Sequence, residues 1–207
     1  ELLAMRAAYK ARRGRAPRPE ARPSNLMLSA LFHKLETGEH PFVDFALFGP
    51  FSDRHLKIRK YEAWIWVNGE WAHKLLQGPN TYESWSACWE VFAAAMVMLK
   101  AATIGALDGY AQGIQKLHTR FGPRAWGMIA LADDMVRYEE WQRILDDHVT
   151  DERKVPGLTD VSRPWDAIIE ASTFSHTQGL LAEWWNDRVV VPVTSMPHNP
   201  AEMLRKI

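Results

Sequence analysis

A single cysteine, Cys88, occurs in the 207 residues. One thiol excludes a disulfide framework and any zinc knuckle or finger built on paired cysteines. No apolar run approaches the roughly 20 residues that a membrane-spanning helix needs, and the first 15 residues hold no secretory hydrophobic region. The phosphate-cradling glycine loop, the dinucleotide fingerprint, the G-x-S-x-G elbow and H-E-x-x-H are all missing. These absences describe an intracellular protein, cytoplasmic, nuclear or within a particle, with no membrane partner. No residue set is assigned a catalytic role, and no cofactor and no metal is expected. The first residue is not methionine, which reads as an excerpt or processed product of a longer polypeptide.

Net charge is also lacking, with 25 basic residues balanced by 25 acidic ones, but the balance is uneven. Residues 1–23 carry Arg6, Lys10, Arg12, Arg13, Arg15, Arg18 and Arg22 against Glu1 and Glu20, a net of +5 that leaves the remainder at −5. A basic arm before a mildly acidic body suits contact with RNA or DNA, and it equally suits a solvated tail.

Tryptophan, by contrast, is abundant. Hydrophobic residues make up 47% of the chain, which excludes global disorder, and ten of them are indoles. Ten indoles in this length fit either a crowded core or buried contacts between subunits. The expected fold is mainly α, a helical core with one β-hairpin and a small C-terminal lobe. Its divisions are a basic arm at 1–23, a helical core with a hairpin at 61–75 across 24–150, and a lobe with an extended tail at 151–207.

Leu2 to Arg13 alternates apolar and basic residues at helical spacing; Gly14, Pro17, Pro19 and Pro23 then make a linker, so the arm reads as mobile unless a partner holds it. Ser24 caps a helix carrying Leu28, Leu31, Phe32 and Leu35, with Gly38 as its stop. His40 to Phe51 reads as a packed loop. Asn68-Gly69 between two aromatic runs predicts a two-residue hairpin turn. Asn80 and Glu83 read as a capping box before a core helix faced by Trp85, Cys88, Trp89, Phe92, Met96 and Leu99. A second helix places Leu107, Tyr110, Ile114 and Leu117 inward. A third starts near Pro123 and runs to about His148 with Trp126, Ile129, Ala130, Trp141 and Ile144 inside. A turn-rich boundary follows at 151–164. In the lobe, 164–171 and 180–186 read as short helices and 189–193 as an edge strand broken by Pro192.

The chemistry most open to choice lies on the third helix. Asp133, Asp134, Glu139 and Asp147 at helical spacing suit a divalent metal and a hydrolase. The same stretch reads more simply as ion pairs, Asp133 with Arg137 and Glu139 with Arg143, each four residues apart. Because Asp133 and Arg137 fall beside the apolar stripe, that pair is expected to be partly buried. Cys88, among indoles, reads as an inert buried thiol.

Gly78-Pro79, the run from Tyr82 to Phe92, Phe121-Gly122-Pro123-Arg124-Ala125-Trp126, and Ala132-Asp133 with Arg137, Glu139 and Arg143 together resemble uncharacterised gag-like or capsid-like proteins of dinoflagellate-type protist retroelements; Pro164-Trp165-Asp166-Ala167 looks similar too. The resemblance implies a self-assembling homo-oligomer that packages nucleic acid. Besides the metal-dependent hydrolase on Asp133, Asp134, Glu139 and Asp147, two readings stand. In the first the chain is a structural subunit with Trp64, Trp66, Trp71, Trp184 and Trp185 as contacts. In the second it is a monomeric nucleic-acid-binding module that uses the arm.

Overall fold

The computed structural model describes residues 2–51, 59–150, 155, 158, 164–175 and 178–197. The expected boundary at 151–164 and the extended tail fall largely outside the described residues. The fold is mainly α, with a single two-stranded antiparallel hairpin among the described residues. In chain order it comprises α1 (Leu2–Arg13), α2 (Asn25–Glu36), β1 (Lys60–Val67), β2 (Glu70–Gln77), α3 (Tyr82–Met98), α4 (Ile104–Phe121), α5 (Trp126–Met135), α6 (Trp141–Val149), α7 (Pro164–Ser172), α8 (Ala182–Trp185) and α9 (Val191–Thr194).

Helix α3 is the axis of the core. From Val91 to Met98 every residue is buried, so this half of the helix is enclosed on all sides and not on one stripe. Its start differs from the expected Asn80 and Glu83 box. Thr81 takes the extended backbone of a cap and accepts the Ser84 N–H at 3.2 Å, while Ser84 Oγ accepts the Thr81 N–H. A serine in the third helical position closes the box as a glutamate would. Helix α4 packs Leu107, Tyr110, Ile114 and Leu117 into this core as its spacing predicts. Helix α7 lies on α4 and α6, and Trp165, Ile168 and Ile169 join the same apolar cluster as α3.

The arm is held. Helix α1 lies on α3, and Arg12 donates to the Val97 carbonyl at 3.1 Å. Arg13 forms a two-pronged pair with Asp108 (2.9 and 3.0 Å), and Arg18 meets Glu90. A linker of prolines costs little entropy to order, and Pro17, Ala21 and Pro23 are buried beneath it.

The third helix contains one extra residue. Between α5 and α6 the backbone widens into a π turn at Val136–Glu140, closed by the Trp141 N–H on the Val136 carbonyl. That insertion turns Glu140 inward and leaves Glu139 exposed, so Arg143 pairs with Glu140 at 2.8 Å and not with Glu139. The expected strand at 189–193 is helical as well. Asn186–Val190 forms a second π turn and α9 follows without a break, with Pro192 placed just after the π turn.

Candidate functional site

Two features carry most of the unusual chemistry: a charge pair sealed inside the core and an aromatic hairpin on its surface. Asp133 is 0% exposed and Arg137 2%. Asp133 Oδ2 accepts the Trp85 indole N–H at 2.8 Å and the Arg137 Nε–H at 3.0 Å, while Oδ1 accepts the Tyr110 hydroxyl at 3.0 Å. Arg137 also donates to the Val43 carbonyl at 2.8 Å and to Asp134 at 3.2 Å, with its guanidinium 4.0 Å from the Phe45 ring centre.

Together the two charges draw partners from α3, α4, α5 and the loop before β1. Burial alone would lower the Arg137 pKa, but Asp133 and Asp134 outweigh it and raise it, so the guanidinium stays charged. Burial, reinforced by Asp133, pushes the Tyr110 phenol well above its ordinary value, which keeps it a donor. Asp134, half-exposed at the rim, has its carboxyl pushed up to about 6 by burial, which outweighs the pull of Arg137 and is reinforced by Asp133 and Asp44.

This network leaves no lone pair of Asp133 directed at solvent. Among the described residues no three His, Cys, Asp or Glu side chains converge as a metal site. Asp133, Asp134, Glu139 and Asp147, the set a hydrolase would use, are dispersed. Asp133 is enclosed, Glu139 points to solvent, and Asp147 lies beyond the π turn on α6. Cys88 is buried at 0% exposure, as its place on α3 predicts.

The hairpin begins from its turn. Asn68 and Gly69 both take positive φ (52° and 86°), the backbone that a tight two-residue connection requires. The register pairs Trp66 with Trp71 and Trp64 with His73. Directly opposed residues share a face, and the rings meet there. Trp66 and Trp71 are edge-to-face at 5.4 Å, and Trp64 lies 5.1 Å from His73. The opposite face supplies Ile65 to the core, and Gly127 of α5 permits the approach: a Cβ there would stand 2.4 Å from that of Ala63.

Of the five indoles expected at contacts, Trp64, Trp66, Trp71 and Trp184 are half-buried. Trp185 is 0% exposed and gives its N–H to the Ser172 carbonyl at 2.9 Å, so it is a core residue of this fold and not a contact. Trp66 also edges a groove of about 300 Å³ formed with Met128, Leu131, Met135 and Pro192. Among the basic residues of the arm, Arg12, Arg13 and Arg18 are spent on the protein itself. Arg6 and Arg22 line a second groove beside Phe51, which is 69% exposed. Lys10 and Arg15 are exposed.

The exposure of Phe51 and the two π turns were not legible in the sequence. Phe51 lies in an irregular segment, and a π turn leaves no fixed residue pattern.

No family model, curated protein or solved structure matches this chain. Among the described residues no helix is long and apolar enough to cross a membrane.

Proposed function

We propose that this chain is a structural, self-assembling subunit of the gag-like or capsid-like kind, which contacts nucleic acid within its assembly. The reading rests on the half-buried row Trp64, Trp66 and Trp71, standing on a hairpin with Leu75 62% exposed. A two-stranded hairpin is marginally stable alone. Indoles bring large contact area at low entropic cost, which is why they anchor interfaces. The resemblance of the segment between Gly78 and Arg143 to gag-like proteins supports the same reading.

Size-exclusion chromatography with light scattering tests it, run on the chain with and without RNA, with electron microscopy of any large species. Concentration-dependent oligomers are expected. A single-chain mass at every concentration, with or without RNA, overturns the reading.

A second reading is favoured by one observation, the groove of Arg6, Arg22 and Phe51. Guanidinium groups beside an exposed ring suit phosphate contact and base stacking on a single strand. Under that reading the chain remains a monomer and binds RNA with an affinity that falls steeply with salt.

A further inference from the structure

The phase of the hairpin ladder determines which backbone groups remain open. Val67 and Glu70 flank the two-residue turn and so exchange hydrogen bonds, and every second pair beyond them does the same. The Gly78 N–H on the Arg59 carbonyl, at 3.0 Å, continues that phase at the far end. Glu70, Ala72, Lys74 and Leu76 thus direct their backbone groups at β1, while Trp71, His73, Leu75 and Gln77 direct theirs away from it.

The two outer edges are treated differently. The edge of β1 meets α5 at its turn end, where the Trp66 N–H reaches Met128 Sδ at 3.0 Å. Among the described residues β1 and β2 are the only strands, so no strand pairs with the outer edge of β2. That edge contains no proline and no bulge across Glu70–Gln77. An edge of this length with no strand on it among the described residues is a template for another strand.

We propose that β2 pairs antiparallel with β2 of a second copy about a two-fold axis at Ala72, joining two hairpins into one four-stranded sheet. This deepens the self-assembly reading and rests on it. In this register Trp71 and His73 form hydrogen-bonded pairs with their counterparts, which uses the outward backbone groups. Glu70 lies opposite Lys74 of the other copy, twice by symmetry. Neither has a charged partner across its own hairpin, where Glu70 faces Val67 and Lys74 faces Ala63. Sliding the strands by two residues in either direction opposes each charge with Ala72, Asn68 or Leu76, so only one register is complementary. The same register runs Trp64, His73, then the second copy's Trp71 and Trp66 in one continuous aromatic row, since directly opposed residues share a face.

The test uses the full chain in sedimentation equilibrium. Wild type is expected to dimerise reversibly. Glu70→Lys alone and Lys74→Glu alone each place like charges opposite one another twice, and each is expected to weaken the dimer about tenfold. An equimolar mixture of the two single variants restores complementarity, as does the chain carrying both, and each is expected to return to within about threefold of wild type. Recovery in the mixture also shows that the single variants are folded. Single variants that associate as wild type does overturn the β2 register while leaving self-assembly standing, and so does a mixture that fails to recover. A wild type that stays monomeric removes the self-assembly reading together with this one.

Discussion

Inside the helical core, Trp85, Trp126, Trp141 and Trp185 are 3% exposed or less, and each indole N–H finds an acceptor: the Asp133 carboxylate, the Pro79 carbonyl, the Ser172 hydroxyl and the Ser172 carbonyl. On the hairpin, Trp64, Trp66 and Trp71 remain half-buried, and the Trp71 N–H is withdrawn from solvent with no acceptor. Among the described residues Trp89 is the one comparable core indole, its N–H enclosed among rings. A buried donor left unpaired is costly, so most core indoles are oriented by their hydrogen bond as well as by packing. The hairpin indoles lack that constraint and still cover area. One group is fixed by packing and hydrogen bonds, and the other keeps part of its surface exposed.

The core side of this contrast can be broken hardest at Arg137. Arg137→Met leaves Asp133 buried beside two neutral donors, and a loss of about 3–5 kcal/mol in denaturant unfolding is expected. Asp133→Asn is expected to be costly too, and the double variant is expected to lose less than the sum of the two. Additive losses would show that the two charges act independently.

The seam between the two regions comes next. Gly127→Ala places a methyl group against Ala63, and a net loss of about 1–3 kcal/mol is expected, with a change in tryptophan emission as the hairpin lifts. Adding Ala63→Gly is expected to recover most of the stability, which distinguishes crowding from any other effect of the substitution.

On the hairpin side, Trp64→Ser and Trp66→Ser are expected to lower the free energy of unfolding by about 1–2 kcal/mol, less than the core variants. Both are expected to weaken self-association at least tenfold. Light scattering and thermal unfolding on the same samples separate the two effects. Equal damage to both would place these indoles with the core group.

The smallest effect concerns pH. The folded state raises the Asp134 carboxyl from 3.8 to about 6, so the native protein holds a proton that the unfolded chain has released. Stability contributed by this group is therefore present at the acid end and declines as pH rises between about 4 and 6. Half-exposed to solvent, the group contributes modestly. Asp134→Asn is expected to flatten that decline, read as the difference between the melting temperatures of variant and wild type across the window.

Where local rules dominate, the residues told the outcome. Asn68-Gly69 announced the hairpin because few other dipeptides accept positive φ twice. Ser24 marked the start of α2 because its hydroxyl accepts the Met27 N–H, Gly38 marked its end through positive φ, and the four-residue spacing of Asp133 and Arg137 identified their pair. The errors arose where long-range packing overrode local spacing. Arg143 chose Glu140 because one inserted residue rotated the helix, and 189–193 became helical because burial of Val189 and Val193 outweighed β-branched preference.

From its composition and periodicity this polypeptide was bound to be mainly helical, with one hairpin, a cluster of indoles and a basic first segment, since backbone sterics and apolar spacing act within a few residues. The arrangement that encloses Trp185 but leaves Trp64 and Trp66 at the surface came only with tertiary structure, as did the docking of the arm through Arg12, Arg13 and Arg18. Those choices depend on contacts between residues far apart in the chain, and no local pattern encodes which of ten similar side chains will find an acceptor.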